Sequence, residues 1–200
     1  MTWIPPLKDV RRLFLTTLLL SCVMSCGGDI CDCRPREPAS KDFRHAEKHV
    51  PLPNVTPVET TVAEMLTWRL IPNLSTNTLR TGRELTLYHI AQAYLQNARL
   101  REGDCDIHLE LSDVPAKNAL RVIVETPVDS EYCQARRDTQ LQLEHHGFRL
   151  RVAEARETEI SPALPASVLG LAFQDFEHRR GSPQVATDWE LHPAIVTAQQ

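Results

Sequence analysis

The sequence predicts a mainly β domain, and three observations support this prediction. Between residues 84 and 126, three runs alternate apolar and polar side chains, the period of a half-buried strand. Two further runs of strand-like residues, 167–173 and 189–196, follow a long polar stretch. Hydrophobic residues make up 42% of the chain, which is enough to form a core.

A short helix precedes the strands. Thr61-Val62-Ala63-Glu64 has the pattern of a capping box, in which the threonine and the glutamate satisfy free backbone groups at a helix start. We therefore predict a helix that begins near Thr61 and ends by Pro72, because proline cannot continue a helix.

Three strands follow the helix. The first is the long run 85–95, and the second, 106–111, alternates cleanly, with Asp106, His108 and Glu110 on its polar face. The third, 120–125, is stopped by Pro127. The turn-forming residues at 113–118 predict that the second and third strands form a hairpin.

The remaining elements complete a barrel. Residues 134–146 are polar and end at Gly147, which predicts a helix, whereas 148–165 show no clear pattern. The runs 167–173 and 189–196 are the fourth and fifth strands. Five strands with a helix between the third and fourth is the order of an OB-like barrel. A small β-sandwich is the alternative, because periodicity counts strands without showing how they close.

The N-terminus has the features of an export signal. Lys8, Arg11 and Arg12 precede the apolar run 13–25, which is too short to span a bilayer. The end of this run, Val23-Met24-Ser25-Cys26-Gly27, resembles a bacterial lipoprotein signal, in which a small residue precedes a cysteine that becomes lipidated. Cys22 lies in a second, similar cleavage sequence. An ordinary secretory signal is the alternative.

The lipoprotein resemblance, the composition after it and the strand pattern together predict three parts. These are a signal peptide at 1–25, a lipid anchor at Cys26 with a Pro-rich tether to residue 57, and an OB-like β domain at 58–200. The segment 27–57 is rich in proline and charged residues, which predicts an extended tether. The expected location is the bacterial cell envelope, on the periplasmic or extracellular face, with the lipid membrane bound through the acyl anchor.

Charge restricts the other partners. The whole chain has a formal charge of −4, and the first 25 residues carry +2, so the exported part carries −6. An acidic protein is a poor binder of phosphate backbones, so nucleic acid is not expected as a partner. No glycine-rich phosphate-binding motif occurs, which excludes those nucleotide-binding classes. The partner that we expect is therefore an unidentified protein or a small ligand.

The cysteines predict disulfides. If Cys26 is acylated, Cys31, Cys33, Cys105 and Cys133 remain, and an even number outside the cytoplasm indicates disulfides with three connectivities. The predicted hairpin places the start of its first strand beside the end of its second. We therefore expect a disulfide between Cys105 and Cys133.

Four sequence blocks are distinctive in combination, namely D-x-H-x-x-L at 106–111, V-E-x-P at 124–127 with a following cysteine, G-x-x-F-x-D-x-x-H at 170–178, and E-L-H-P at 190–193. Together they resemble a family of exported bacterial proteins of uncharacterised activity. The resemblance covers residues 60 to 196 and supports the fold prediction. It implies no established activity. This chain departs from the family after His178, where Arg179-Arg180-Gly181 replaces a glycine that relatives often have.

Polar residues in these blocks are the candidate site, and they are Asp106, His108, Asp175, His178, Glu190 and His192. Mixed imidazole and carboxylate ligands suit a divalent metal ion, whose bound water could perform hydrolysis. The sequence requires no other cofactor. We expect these six residues to approach one another at one end or face of the barrel. Two functions remain open, a binding or structural module and a metal-dependent, nuclease-like hydrolase; alternatively, the six are solvated strand residues.

We predict that Cys26→Ala abolishes acyl labelling and releases the protein from the membrane fraction. Acyl chains contribute about 0.8 kcal/mol per buried methylene, so two or more chains anchor a protein stably. Metabolic labelling with a fatty acid analogue followed by fractionation measures both effects. Cys22→Ala is the matched control and should leave labelling intact. Labelling that survives Cys26→Ala would contradict this assignment.

Overall fold

The computed structural model describes residues 29–150, 158–176 and 181–199. The signal segment 1–25, the lipidation candidates Cys22 and Cys26, and the site candidate His178 lie outside the described residues. Within the described ranges, no helix is both long and apolar enough to cross a membrane.

Six strands form one sheet, which closes on itself. In chain order they are β1 (Val58–Glu59), β2 (Leu87–Leu100), β3 (Ile107–Ser112), β4 (Arg121–Thr126), β5 (Thr158–Gln174) and β6 (Val185–Ala198). Their order is β1-β2-β3-β4-β6-β5, and β5 also pairs with β2. Strands β2 to β6 therefore make a closed five-stranded barrel, in which β4 and β6 are parallel and β1 is an added strand on β2. The predicted OB-like barrel is confirmed.

Within the described ranges, the α-helices are short except for one. They are α1 (His45–Lys48), α2 (Val62–Met65) and α3 (Cys133–His145), and α3 lies between β4 and β5 as predicted. Thr61 caps α2 by accepting a hydrogen bond from the Glu64 backbone at 3.0 Å, but α2 is a single turn that ends well before Pro72. Gly147, with φ of 84°, ends α3 in the left-handed conformation that glycine adopts most easily.

Strands β3 and β4 are buried on both faces. All six residues of each strand are buried. One face of β3 contributes Ile107, Leu109 and Leu111 to a hydrophobic core that includes residues from all five barrel strands. Its other face carries His108 and Glu110, so a polar layer must cover the outside of the barrel at this point.

Part of that layer is the segment predicted to be a tether, and the tether prediction is wrong for its described residues. Arg44 is 2% exposed and Lys48 is fully buried. Arg44 forms a two-pronged ion pair with Glu84, at 2.6 and 2.9 Å. The segment has few apolar residues, so its composition predicted a solvated chain. Its burial depends on ion pairs, which hydropathy does not detect.

The disulfides differ from the expected pairing. Cys31 bonds to Cys133 and Cys33 bonds to Cys105, with Cα separations of 5.4 and 5.8 Å. The predicted Cys105–Cys133 bond is therefore wrong. The hairpin does bring Cys105 and Cys133 to the same region. The Cys31-Asp32-Cys33 segment packs there as well, and each of its two cysteines bonds to one of them.

We expect non-reducing peptide mapping to recover these two pairs and no Cys105–Cys133 peptide. Replacing Cys33 and Cys105 together with alanine should lower the free energy of unfolding, because the bond closes a separation of 72 residues. The chain-entropy model gives a loss of about 4 kcal/mol, measurable by urea unfolding. Cys105→Ala alone is the control and should cost a similar amount, because it removes the same bond.

Candidate functional site

Five polar residues gather on the outer face of β3, β4 and β6, and we call them the buried cluster. They are Asp106, His108, Glu125, Glu190 and His192, and none is more than 2% exposed. Strand register explains the arrangement. His108 pairs with Glu125 across β3 and β4, and Glu190 lies beside Ile123 across β4 and β6. Residues two apart on a strand share a face, which adds His192 next to Glu190.

His192 lies at the centre of the buried cluster. Its Nε2 is 3.2 Å from Asp106 Oδ2, and its Nδ1 is 3.0 Å from Glu125 Oε2 and 3.2 Å from Glu190 Oε1. Three carboxylates therefore surround one imidazole, and two of them occupy the same side of the ring. The contacts of Asp106 and Glu125 with His192 are ion pairs without good hydrogen-bond geometry.

Glu125 joins the two histidines of the buried cluster. Its Oε1 lies 2.7 Å from His108 Nδ1 while its Oε2 faces His192. At the far end, Glu110 lies 2.9 Å from Arg121, and it also accepts hydrogen bonds from Ser182. Glu125 was not among the predicted site residues. The hairpin register could have found it, because that register places Glu125 opposite His108.

Electrostatics keep the buried cluster charged. Burial alone would lower the pKa of His192, but the contacts with Asp106, Glu125 and Glu190 raise it well above its usual value. Burial would likewise raise the pKa of Glu125, yet the two histidines hold it well below its usual range. The buried cluster is therefore an ion-pair network, in which a proton on His192 compensates part of the negative charge.

The structure brings four of the six predicted site residues together. Asp106, His108, Glu190 and His192 belong to the buried cluster. Asp175 lies beside it and is bound instead by Lys48 Nζ at 2.9 Å. His178 is outside the described residues, so its position stays a prediction.

A second site opens next to the buried cluster, in a cavity of about 450 Å³ that we call the N-terminal pocket. Its volume falls within the usual range of small-molecule sites. Segment 35–49 forms one wall, and the loops around Arg101, Asp129 and Phe176 complete it. The acidic lining residues, which outnumber the basic ones Lys41 and Arg101, are Glu37, Asp42, Asp104, Asp129 and Asp175.

Apolar side chains form another part of the N-terminal pocket. Phe43 and Phe176 both line it, with their ring centroids 5.5 Å apart. Phe176 is 65% exposed. An exposed aromatic ring beside acidic groups suits a ligand that carries both an apolar part and a positive charge.

Three potential ligand atoms line the same pocket. Asp42 Oδ2 lies 3.1 Å from His45 Nδ1 and 4.0 Å from His49 Nε2. The two imidazole rings are one helical turn apart, with centroids 3.9 Å from each other. The other Asp42 oxygen is 3.0 Å from Lys48 Nζ. These three residues were not predicted as a site because they lie in the segment predicted to be a tether, although the sequence shows the spacing D-x-x-H-x-x-x-H there.

Asp104 is the lining residue with the most perturbed acidity. Burial, together with the negative charges of Glu125 and Asp106, raises the pKa of Asp104 to about 7. Its carboxylate lies 2.8 Å from Arg101, which moderates this effect. The charge of the N-terminal pocket therefore changes near neutral pH.

Among the described residues, two groups have donor atoms close enough to hold a metal ion. They are Asp106, Glu125 and His192 in the buried cluster, and Asp42, His45 and His49 in the N-terminal pocket, and the donor atoms within each group lie within 4.8 Å of one another. The first group is fully buried, whereas the second is partly exposed. The second group lines the N-terminal pocket.

Comparison with known proteins adds no relative. No protein-family model, no curated protein and no solved structure matches this chain. The resemblance to a family of exported bacterial proteins therefore stays a prediction.

We predict that His192→Gln lowers the free energy of unfolding by about 3 kcal/mol below neutral pH, because it leaves buried carboxylates without their cation. In the wild type, the contribution of His192 is complete below the pKa of an unfolded histidine, about 6.5, and is lost as pH rises through the raised folded pKa. Wild-type stability should therefore fall as pH rises from about 6.5, and this slope should disappear in the variant.

Urea unfolding over a pH series, followed by tryptophan fluorescence, measures both effects. His145→Gln is the matched control, because His145 is exposed at the end of α3. It should retain the wild-type pH slope. Parallel pH profiles for the wild type and His192→Gln would show that His192 does not carry the charge that stabilises the buried cluster.

Proposed function

We propose that this chain is a bacterial cell-envelope lipoprotein, anchored through Cys26, whose barrel domain binds a small cationic ligand in the N-terminal pocket. The observation that carries the ligand class is the composition of this pocket. Carboxylates outnumber fixed cations along its walls, and exposed Phe176 stands at the same cavity.

Two features support an extracytoplasmic location. The chain begins with a signal-like segment, and the structure has two disulfides. Structural disulfides persist in oxidising compartments and are rare in the cytosol. Both bonds hold the residues directly before the segment that forms one wall of the pocket.

The size and lining of the pocket favour a small ligand over a large one. A cavity of about 450 Å³ accommodates a molecule of modest size. A positive group on the ligand would lie near the carboxylates, and an apolar part would contact Phe43 and Phe176. Cations are also attracted to the faces of aromatic rings, typically by about 0.5–1 kcal/mol at exposed sites.

The alternative, a hydrolase that uses the buried cluster, has less support. Asp106, His108 and His192 are fully buried, so a substrate cannot reach them without a large opening. Their contacts with Glu125 and Glu190 are those of an ion-pair network. A structural role for the buried cluster is therefore the better interpretation, and the N-terminal pocket is the better binding site.

We expect phenethylammonium to bind the purified protein, because it combines a cation with a phenyl ring. The test is isothermal titration calorimetry, supported by a rise in Tm. Phenylpropionate has a similar size and the opposite charge, so it should bind much more weakly. Phe176→Ala should weaken phenethylammonium binding about tenfold, since it removes an aromatic contact.

Leu141→Ala is the matched control for this experiment. It also removes an exposed apolar side chain, but from α3, outside the set of residues that line the N-terminal pocket. Its affinity for phenethylammonium should equal that of the wild type. Equal affinity for the cation and the anion, or an unchanged affinity in Phe176→Ala, would refute the proposed ligand class.

A further inference from the structure

The N-terminal pocket contains a donor set whose chemistry goes beyond attraction of a positive charge. Asp42, His45 and His49 supply one carboxylate and two imidazoles within eight consecutive residues. We propose that they bind a divalent first-row transition ion of the Zn²⁺ type. This inference rests on the proposed function, since it names an ion that the acidic pocket would hold.

The distances suit a small tetrahedral ion. Ligand atoms about 2.0 Å from Zn²⁺ lie roughly 3.3 Å from one another in a tetrahedral site. His45 Nδ1 and His49 Nε2 lie 3.1 and 4.0 Å from Asp42 Oδ2. The donor atoms of the three residues lie within 4.8 Å of one another, so binding would require the side chains to move closer together. Lys48 binds the other Asp42 oxygen, which leaves Oδ2 as a single ligand atom.

The surroundings of His49 provide a second, independent observation. Its side chain is 8% exposed, and its Nδ1 lies 2.6 Å from Asp129 Oδ2. A carboxylate accepts hydrogen bonds, so this contact places the ring hydrogen on Nδ1. Nε2 then presents its lone pair, and among the described residues it has no hydrogen-bond partner.

This carboxylate–imidazole pair matches a common feature of metal sites. Histidine ligands usually donate their other ring N–H to a carboxylate or carbonyl group, which fixes the ring and increases its basicity. Asp129 holds His49 in this way. A buried imidazole nitrogen that is oriented by a carboxylate and has no partner of its own is costly unless a ligand satisfies it.

The donor types select the class of ion. Imidazole suits Zn²⁺, Co²⁺, Ni²⁺ and Cu²⁺, whereas Ca²⁺ and Mg²⁺ require mostly oxygen ligands. Three protein ligands would leave a fourth position of a tetrahedral ion open to the cavity that all three residues line. A water molecule or an electron-donating group of a small ligand could occupy that position.

The test is titration of the full chain in detergent with Zn²⁺ by calorimetry, and with Co²⁺ by visible absorption. We expect one equivalent of either ion to bind, and a higher Tm that EDTA reverses. Ca²⁺ and Mg²⁺ should produce neither effect. His45→Ala should weaken Zn²⁺ binding more than tenfold and leave the Tm of the metal-free protein near the wild-type value, because the His45 side chain is 36% exposed.

Asp129→Asn separates an orienting role from a ligand role. Loss of a group that orients a metal-bound histidine typically costs 10- to 100-fold in affinity, so Asp129→Asn should weaken Zn²⁺ binding by about that factor. His145→Ala is the matched control, because His145 and His146 are neighbouring histidines at the end of α3. It should bind Zn²⁺ as the wild type does.

Three outcomes would overturn the metal site. They are no Zn²⁺ binding to the wild type, binding that His45→Ala retains, and binding that His145→Ala removes. If Zn²⁺ fails to bind while phenethylammonium binds, only the metal assignment falls. If Zn²⁺ binds and phenethylammonium does not, the metal site is supported and the proposal that the ligand is an organic cation is refuted. These results therefore distinguish the two proposals.

Discussion

The ion-pair network on the outer face of β3, β4 and β6 is the interaction on which the rest of the structure depends. Its carboxylates are buried, and such groups are tolerated only when cations lie beside them. His192 supplies one cation from within the barrel, and Lys48 supplies another from the N-terminal segment, where it contacts both Asp42 and Asp175. An ion pair therefore connects the N-terminal segment to the residue that follows β5.

The short helix α1 serves two sites at once. Lys48 Nζ binds Asp42 and Asp175 beside the ion-pair network, whereas His45 and His49 line the N-terminal pocket. The ring centroids of His49 and His192 are only 6.1 Å apart, so pocket and network are in contact. The disulfides at Cys31 and Cys33 hold the beginning of the same segment against the start of α3 and the loop before β3. Covalent bonds and ion pairs thus fix a helix that is too short to be stable alone.

The sequence was sufficient to predict the barrel. Its strands bury an apolar face on one side, so apolar and polar side chains alternate along them. It also indicated α3 and the polar face of β3. The sequence did not predict the parts of the structure in which polar side chains are buried. Arg44 and Lys48 lie in a segment that hydropathy classifies as solvated, so its packing, its disulfides and the histidines of the N-terminal pocket were missed together. The start of β5 was missed as well, because Pro162 and Pro165 interrupt its pattern.

The two donor sets have similar residues, and their environments explain why they serve different roles. His192 is enclosed by three carboxylates and has no access to solvent, so a proton is the cation best able to reach and satisfy it. Around Asp42, two imidazoles share one carboxylate at the edge of a cavity, so an ion can exchange with solution. Burial converts one set into a structural element, and exposure leaves the other available for binding. The two sets differ in their access to solvent and in the ratio of carboxylates to imidazoles. Neither property can be read from residue identity alone.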